Sequence, residues 1–93
     1  MPFVLIIHEV ESYPAWKAEF DHAADIRKRA GEIRYQLLRY DNDANALVHF
    51  PEWSSLVNAR QFFESPELAA IRQQAGVNAP TFLYLREIEH GVL

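Results

Sequence analysis

Cysteine is absent, so the chain has no disulfide framework, thiol nucleophile or thiolate metal site. With no basic leader visible either, that composition predicts a reducing, cytoplasmic setting. Long hydrophobic runs are missing too. The longest, Phe3-Val4-Leu5-Ile6-Ile7, falls far short of the roughly 20 residues of a spanning helix, which excludes a membrane anchor. Cations are scarce: nine Lys and Arg against thirteen Asp and Glu leave a net charge of −4, which disfavours nucleic acid. Only three glycines occur, with no phosphate-cradling loop, nucleophile elbow or zinc-protease motif. The four histidines show no HxH or HxxxH spacing, so no metal is expected.

What remains is a globular balance. Ninety-three residues, 49% hydrophobic and 13% aromatic, predict one domain over residues 1–93. Phe3 to Val10 is β-branched and aromatic, with two alternating sets, Phe3/Leu5/Ile7/Glu9 and Val4/Ile6/His8/Val10, both mainly apolar. Pro14 to Ala30 has helical spacing, with Trp16, Phe20, Ala23, Ala24 and Ala30 on one side; Ser12 can cap its start and Gly31 close its end. Ile33 to Tyr40 and Ala46 to Trp53 read as a hairpin around the Asp/Asn cluster, with a bulge or an end expected near Pro51. A helix follows from Ser54 or Ser55, breaks at Ser65, and restarts at Ser65-Pro66-Glu67 to run to about Ala75. The last strand is expected over Thr81 to Glu89.

The order β-α-β-β-α-β predicts an α+β, ferredoxin-like fold: a four-stranded antiparallel sheet with helices on one face. Two helical regions cover one side of such a sheet, yet its strands are apolar on both. At about 25 cal/mol per Å², an uncovered patch of several hundred Å² favours association, and a two-fold homodimer with packed sheets, or a barrel, is the simplest cover.

Four segments carry a resemblance: Val10-Glu11-Ser12-Tyr13-Pro14-Ala15-Trp16-Lys17, Phe50-Pro51-Glu52-Trp53-Ser54, Phe63-Glu64-Ser65-Pro66-Glu67-Leu68 and Ala75-Gly76-Val77. In this order the chain resembles the dimeric α+β barrel proteins of the antibiotic-biosynthesis-monooxygenase type, particularly small cyclase-like members. It departs from their pattern at Phe50-Pro51-Glu52, where proline separates the aromatic residue from the acid. The resemblance implies the dimeric barrel and a cavity within it. Its relatives include cofactor-free oxygenases of aromatic polyketides, haem-degrading enzymes, lactone isomerases and proteins without known activity, so fold does not fix function. Haem-degrading relatives hold iron through a histidine on the second helix, and Ser54 to Ala75 contains none.

The candidate site follows from a face assignment. With Ala46, Val48 and Phe50 turned to the helices, Leu47 and His49 face a lumen on the opposite side, joined there by Val4, Ile6 and His8. His8 and His49 then share an apolar chamber. A buried, neutral imidazole can take a phenolic proton, and a deprotonated aromatic can reduce O2 without a cofactor. The alternative is that both are hydrogen-bonded core or rim residues. Tyr35 and Arg39 share one face of their strand and can orient an anionic or carbonyl-bearing ligand, or serve in surface ion pairs. Trp53 and Tyr84 can stack on a flat substrate, or anchor a dimer core. Arg27-Lys28-Arg29 complements a helix end and needs no nucleic acid to explain it. The expectation is a cofactor-independent monooxygenase acting on an aromatic, polyketide-like molecule; the alternative is a non-catalytic ligand-binding or structural homodimer.

Overall fold

The computed structural model describes residues 1–74 and 77–93, with the backbone alone at residues 77–79. Along the chain run β1 (Pro2–Val10), α1 (Tyr13–His22), α2 (Ala24–Ala30), β2 (Glu32–Tyr40), β3 (Asp43–Trp53), α3 (Leu56–Phe63), α4 (Pro66–Gln74) and β4 (Val77–Arg86). The strands form one antiparallel sheet in the order β2-β3-β1-β4, the ferredoxin-like arrangement. Among the described residues no helix is long and apolar enough to cross a membrane.

Capping chemistry punctuates the helices as expected in two places and differs in a third. Ser55 and Ser65 accept hydrogen bonds from the backbone N–H groups of Asn58 and Leu68, at 3.0 and 3.2 Å, and Pro66 opens α4. Ser12 is extended at the start of α1 but makes no side-chain cap bond. The expected end of α4 at Ala75 and Gly76 lies outside the described residues. Gly31 ends α2 with φ 127°, a backbone conformation that favours glycine, and a Cβ there would also push the Ser54 hydroxyl aside.

The expected single helix over Pro14 to Ala30 is two helices, because the chain turns out of α-geometry at Ala23 (φ −85°, ψ 1°). The break leaves the Phe20 carbonyl accepting a hydrogen bond from the Arg27 guanidinium. Pro51 itself stays paired with Tyr35, and its strand ends two residues later at Trp53, near the proline as expected. The β1–β3 ladder lapses where Val4 and Leu5 pass Pro51 and Phe50, then resumes in the same register, which accommodates the missing N–H. Register shifts fall at Glu32/Arg34 of β2, opposite Trp53 and Glu52 beside the proline, at Arg39/Tyr40, and between Ile7 and Glu9 on the β1–β4 ladder, around His8. The last strand begins earlier than expected and ends at Arg86, short of Glu89.

Cross-strand register settles which side chains the helices cover. Ile6 lies opposite His49 and Phe82, His8 opposite Leu47, and Tyr35 opposite Pro51. Val4, Ile6 and Trp53 pack against Ala59 and Phe63 of α3 and Leu68 of α4; Val10 and Leu47 pack against Trp16 and Phe20 of α1. The expected face assignment is therefore reversed: Val4, Ile6, His8, Leu47 and His49 turn to the protein's own helices, and Val48 and Phe50 to the other side. Both alternation sets of β1 are apolar, so the strand's own sequence is nearly neutral between the two choices. The open face carries Phe3 stacked on Phe50 (5.3 Å between ring centroids) and Leu38, Leu83 and Leu85, each more than a third exposed.

Candidate functional site

Beneath α1, α3 and α4, on the helix-covered face, lies a cavity of about 60 Å³. Its walls are Trp16, Phe20, Phe62, Phe63, Leu68, Ile71 and Phe82, and its polar groups are His8, His49, Glu19, Arg27 and Arg72. That volume admits a few waters, well below the roughly 300–1,000 Å³ of ordinary ligand pockets.

His8 stands on central strand β1, 6% exposed, its ring 5.4 Å from that of Trp16. Its Nδ1 is buried and has no hydrogen-bond partner among the described residues. Burial, with smaller contributions from His49 and Arg72, pushes its pKa down to about 3, so the imidazole is neutral at physiological pH. An unpaired buried ring nitrogen costs stability. The His8 side chain lines the cavity.

His49, on β3, is held in place. Its Nε2 lies 3.4 Å from Glu32 Oε2, and its ring meets Phe20, Tyr35 and Phe63 edge to face. Burial pushes its pKa down, opposed by the Glu32 carboxylate, which favours the charged form. Glu32 in turn accepts from Arg27 Nε at 3.2 Å. Arg27 also donates to the Phe20 carbonyl and lies over the Phe20 ring, its guanidinium carbon 3.7 Å from the centroid. These contacts offset the heavy desolvation cost of a buried ion pair.

Sequence reasoning missed Arg27, Glu32 and Arg72. For Arg27 a signal existed: it falls seven residues after Phe20, four after Ala23 and three before Ala30, on the apolar stripe itself, but the run Arg27-Lys28-Arg29 masks it as a helix-end cluster. Arg72 donates to the Phe63 carbonyl at 3.1 Å, and burial lowers its pKa. No equivalent pattern marks Arg72 or Glu32.

Of the residues named from sequence, the structure brings only His8 and His49 to this cavity. Tyr35 is on the same face but half exposed, packed against Phe20 from outside and bordering a surface groove with Arg27 and Lys28. Arg39 lies over the Tyr13 ring in a neighbouring groove. Trp53 is fully buried among Val4, Ile6, Phe62 and Phe63 and makes core, not wall; its Nε1 has no partner among the described residues. Tyr84 sits beneath the Arg60 guanidinium, 4.1 Å from its ring centroid, where burial raises its pKa. Among the described residues no group of three His, Cys, Asp or Glu side chains is placed to hold a metal ion.

No family sequence profile matches the chain, and no curated protein sequence does. Solved structures do match over nearly its whole length. SnoaB, a cofactor-independent oxygenase from Streptomyces nogalater, superposes with a TM-score of 0.78 at 16% identity, over 96% of this chain and 94% of that one. A protein assigned to the antibiotic biosynthesis monooxygenases from Caulobacter crescentus gives 0.74 at 18% identity, over 95% and 90%. A conserved protein from Methanosarcina mazei gives 0.73 at 14%, over 92% and 91%. At these identities the likeness establishes a shared fold, that of the antibiotic-biosynthesis-monooxygenase type, and leaves the chemistry to the site.

Proposed function

We propose that this chain, which shares its fold with antibiotic biosynthesis monooxygenases, is a cofactor-independent monooxygenase of a phenolic aromatic molecule, with His8 as the proton acceptor. The observation that carries this reading is the unpartnered, neutral imidazole of His8 in an apolar cavity. In the empty cavity an imidazolium is disfavoured by burial. A bound phenol changes that balance, because the proton moves between two adjacent groups and leaves an ion pair in place of a lone buried charge. Arg72 on the cavity wall favours the oxyanion. His49, fixed by Glu32 and Arg27, supports the wall rather than taking the proton.

The rest is the substrate's chemistry. The phenolate transfers an electron to O2, the radical pair joins at a ring C–H carbon ortho or para to the oxygen, and the hydroperoxide loses water to leave a carbonyl. A naphthol and O2 become a naphthoquinone and H2O, one oxygen atom in each product. The apolar wall keeps bulk water from the intermediates. Tyr35, Trp53 and Tyr84 act outside the cavity, as packing groups.

Assembly belongs to the same proposal. The open face, with Phe3, Phe50, Leu38, Leu83 and Leu85, fits a second copy of the chain in a two-fold homodimer. The cavity lies on the opposite face, within one protomer. Its small volume favours one other reading, a homodimer with no catalytic role, whose cavity is filled by its own side chains. Incubation with a panel of naphthols under 18O2, followed by mass spectrometry, separates the two. The oxygenase gives quinones carrying one 18O atom, and His8→Ala lowers kcat by about 10²–10⁴-fold while the protein stays folded. No labelled quinone from any substrate, or full activity in His8→Ala, defeats the proposal.

A further inference from the structure

Register places His8, Leu47 and Arg39 in one row across β1, β3 and β2, all on the helix-covered face. Two strand spacings of about 4.8 Å set the His8 and Arg39 backbones about 10 Å apart. Over this row lies a groove of about 320 Å³, lined by Tyr13, Trp16, Leu37, Leu38, Arg39 and Leu47. Trp16 lines the His8 cavity as well, so its indole is a wall the two spaces share. The cavity by itself is too small for a fused-ring ligand, whereas the groove falls within the ordinary range of about 300–1,000 Å³.

The groove is mixed in character, with leucine and tryptophan side chains beside the polar groups of Tyr13 and Arg39. There the Arg39 guanidinium carbon lies 4.5 Å above the Tyr13 ring centroid, and Arg39 has no carboxylate partner among the described residues. A guanidinium held against an aromatic face keeps N–H donors at its edge, the geometry that receives a carboxylate. The row thus offers a neutral imidazole at one end, the buried Leu47 in the middle and, at the other, an exposed guanidinium resting on the Tyr13 ring.

We propose that cavity and groove together bind an elongated, flat phenol with a carboxylate at its far end. Its hydroxyl meets His8, its rings lie over Leu47 with the Trp16 indole displaced, and its carboxylate pairs with Arg39. This assignment rests on the role of His8 proposed above and names the substrate class for that site.

The test is equilibrium binding near pH 7, followed by ligand fluorescence, with 6-hydroxy-2-naphthoate and 2-naphthol as probes. Wild-type protein binds the acid about tenfold or more tighter than 2-naphthol. Arg39→Gln abolishes that preference while leaving 2-naphthol affinity within about twofold, and Arg39→Lys restores part of it. Equal affinity for the two probes, or an unchanged preference in Arg39→Gln, overturns the assignment. Arg39-dependent binding without oxygen uptake supports it and refutes the oxygenase chemistry alone; oxygen uptake indifferent to both the carboxylate and Arg39 refutes it alone.

Discussion

The two faces of the sheet each carry an arginine–glutamate pair of nearly equal length in very different surroundings. Under the helices, Arg27 meets Glu32 at 3.2 Å with the side chains 7% and 4% exposed; on the open face, Arg34 meets Glu52 at 3.1 Å with the arginine 76% exposed. Distance alone would rank them together. Burial separates them at the arginine: Arg34 keeps its water and Arg27 does not, while Glu52, 7% exposed, is buried much as Glu32 is. The same division applies to apolar groups. Helix-face residues Val4, Ile6 and Trp53 are fully covered within one chain, while Leu83 and Leu38 of the open face stay nearly half exposed. One face is closed within the chain and holds the candidate site; the other leaves apolar side chains in water.

The sharpest way to break this contrast is at Glu32. Glu32→Ala leaves the Arg27 guanidinium buried without its carboxylate, and urea unfolding is expected to show a loss of about 3–5 kcal/mol. A loss under about 1 kcal/mol would mean that water reaches the pair and the face is not closed. Next comes the open face. Leu83→Glu places a charge twice in a two-fold interface, and burial of each leucine is worth about 1.5–3 kcal/mol, so the dimer Kd from sedimentation equilibrium should rise at least about a hundredfold with the fold intact. A wild-type protein that sediments as a single copy at micromolar concentration removes the dimer. A smaller effect is expected at Arg34, where the arginine is exposed but Glu52 is buried: Arg34→Ala should cost about 1–3 kcal/mol, below the loss at Glu32→Ala.

Much of the fold was legible because local signals agreed. Ser65-Pro66-Glu67 marked a helix start that the Ser65 hydroxyl does cap, and Gly31 marked an end that needs its positive φ. The break at Ala23 was not legible, since alanine is an excellent helix former and tertiary contacts of Arg27 with Phe20 and Glu32 accompany the turn there. The site was half legible. His8 and His49 were found together because alternation places them on one face of paired strands, as diagonal neighbours across the β1–β3 ladder. Their face was misjudged, since Phe3/Leu5/Ile7 and Val4/Ile6/Val10 are equally greasy and only cross-strand register distinguishes them. Trp53 and Tyr84 were assigned to a ligand because an aromatic side chain in a strand looks the same whether it meets substrate or core.

The chemistry assigned to the cavity requires His8 to be neutral in the folded protein, and linkage makes that visible. Its folded pKa, about 3, lies below the unfolded value of about 6.5, so on acidification the unfolded chain takes up the proton first. Its contribution to stability is intact above about pH 6.5 and is lost from there down to about pH 3, by about 1.4 kcal/mol per pH unit; His49, shifted the same way, steepens the slope. Histidine-selective 15N NMR of the folded protein, titrated from neutral pH to the acid limit of folding, reads the group itself. The predicted result is a His8 ring that keeps neutral-imidazole nitrogen shifts throughout. A His8 signal that titrates near its ordinary value of about 6.5 would contradict a buried, neutral proton acceptor.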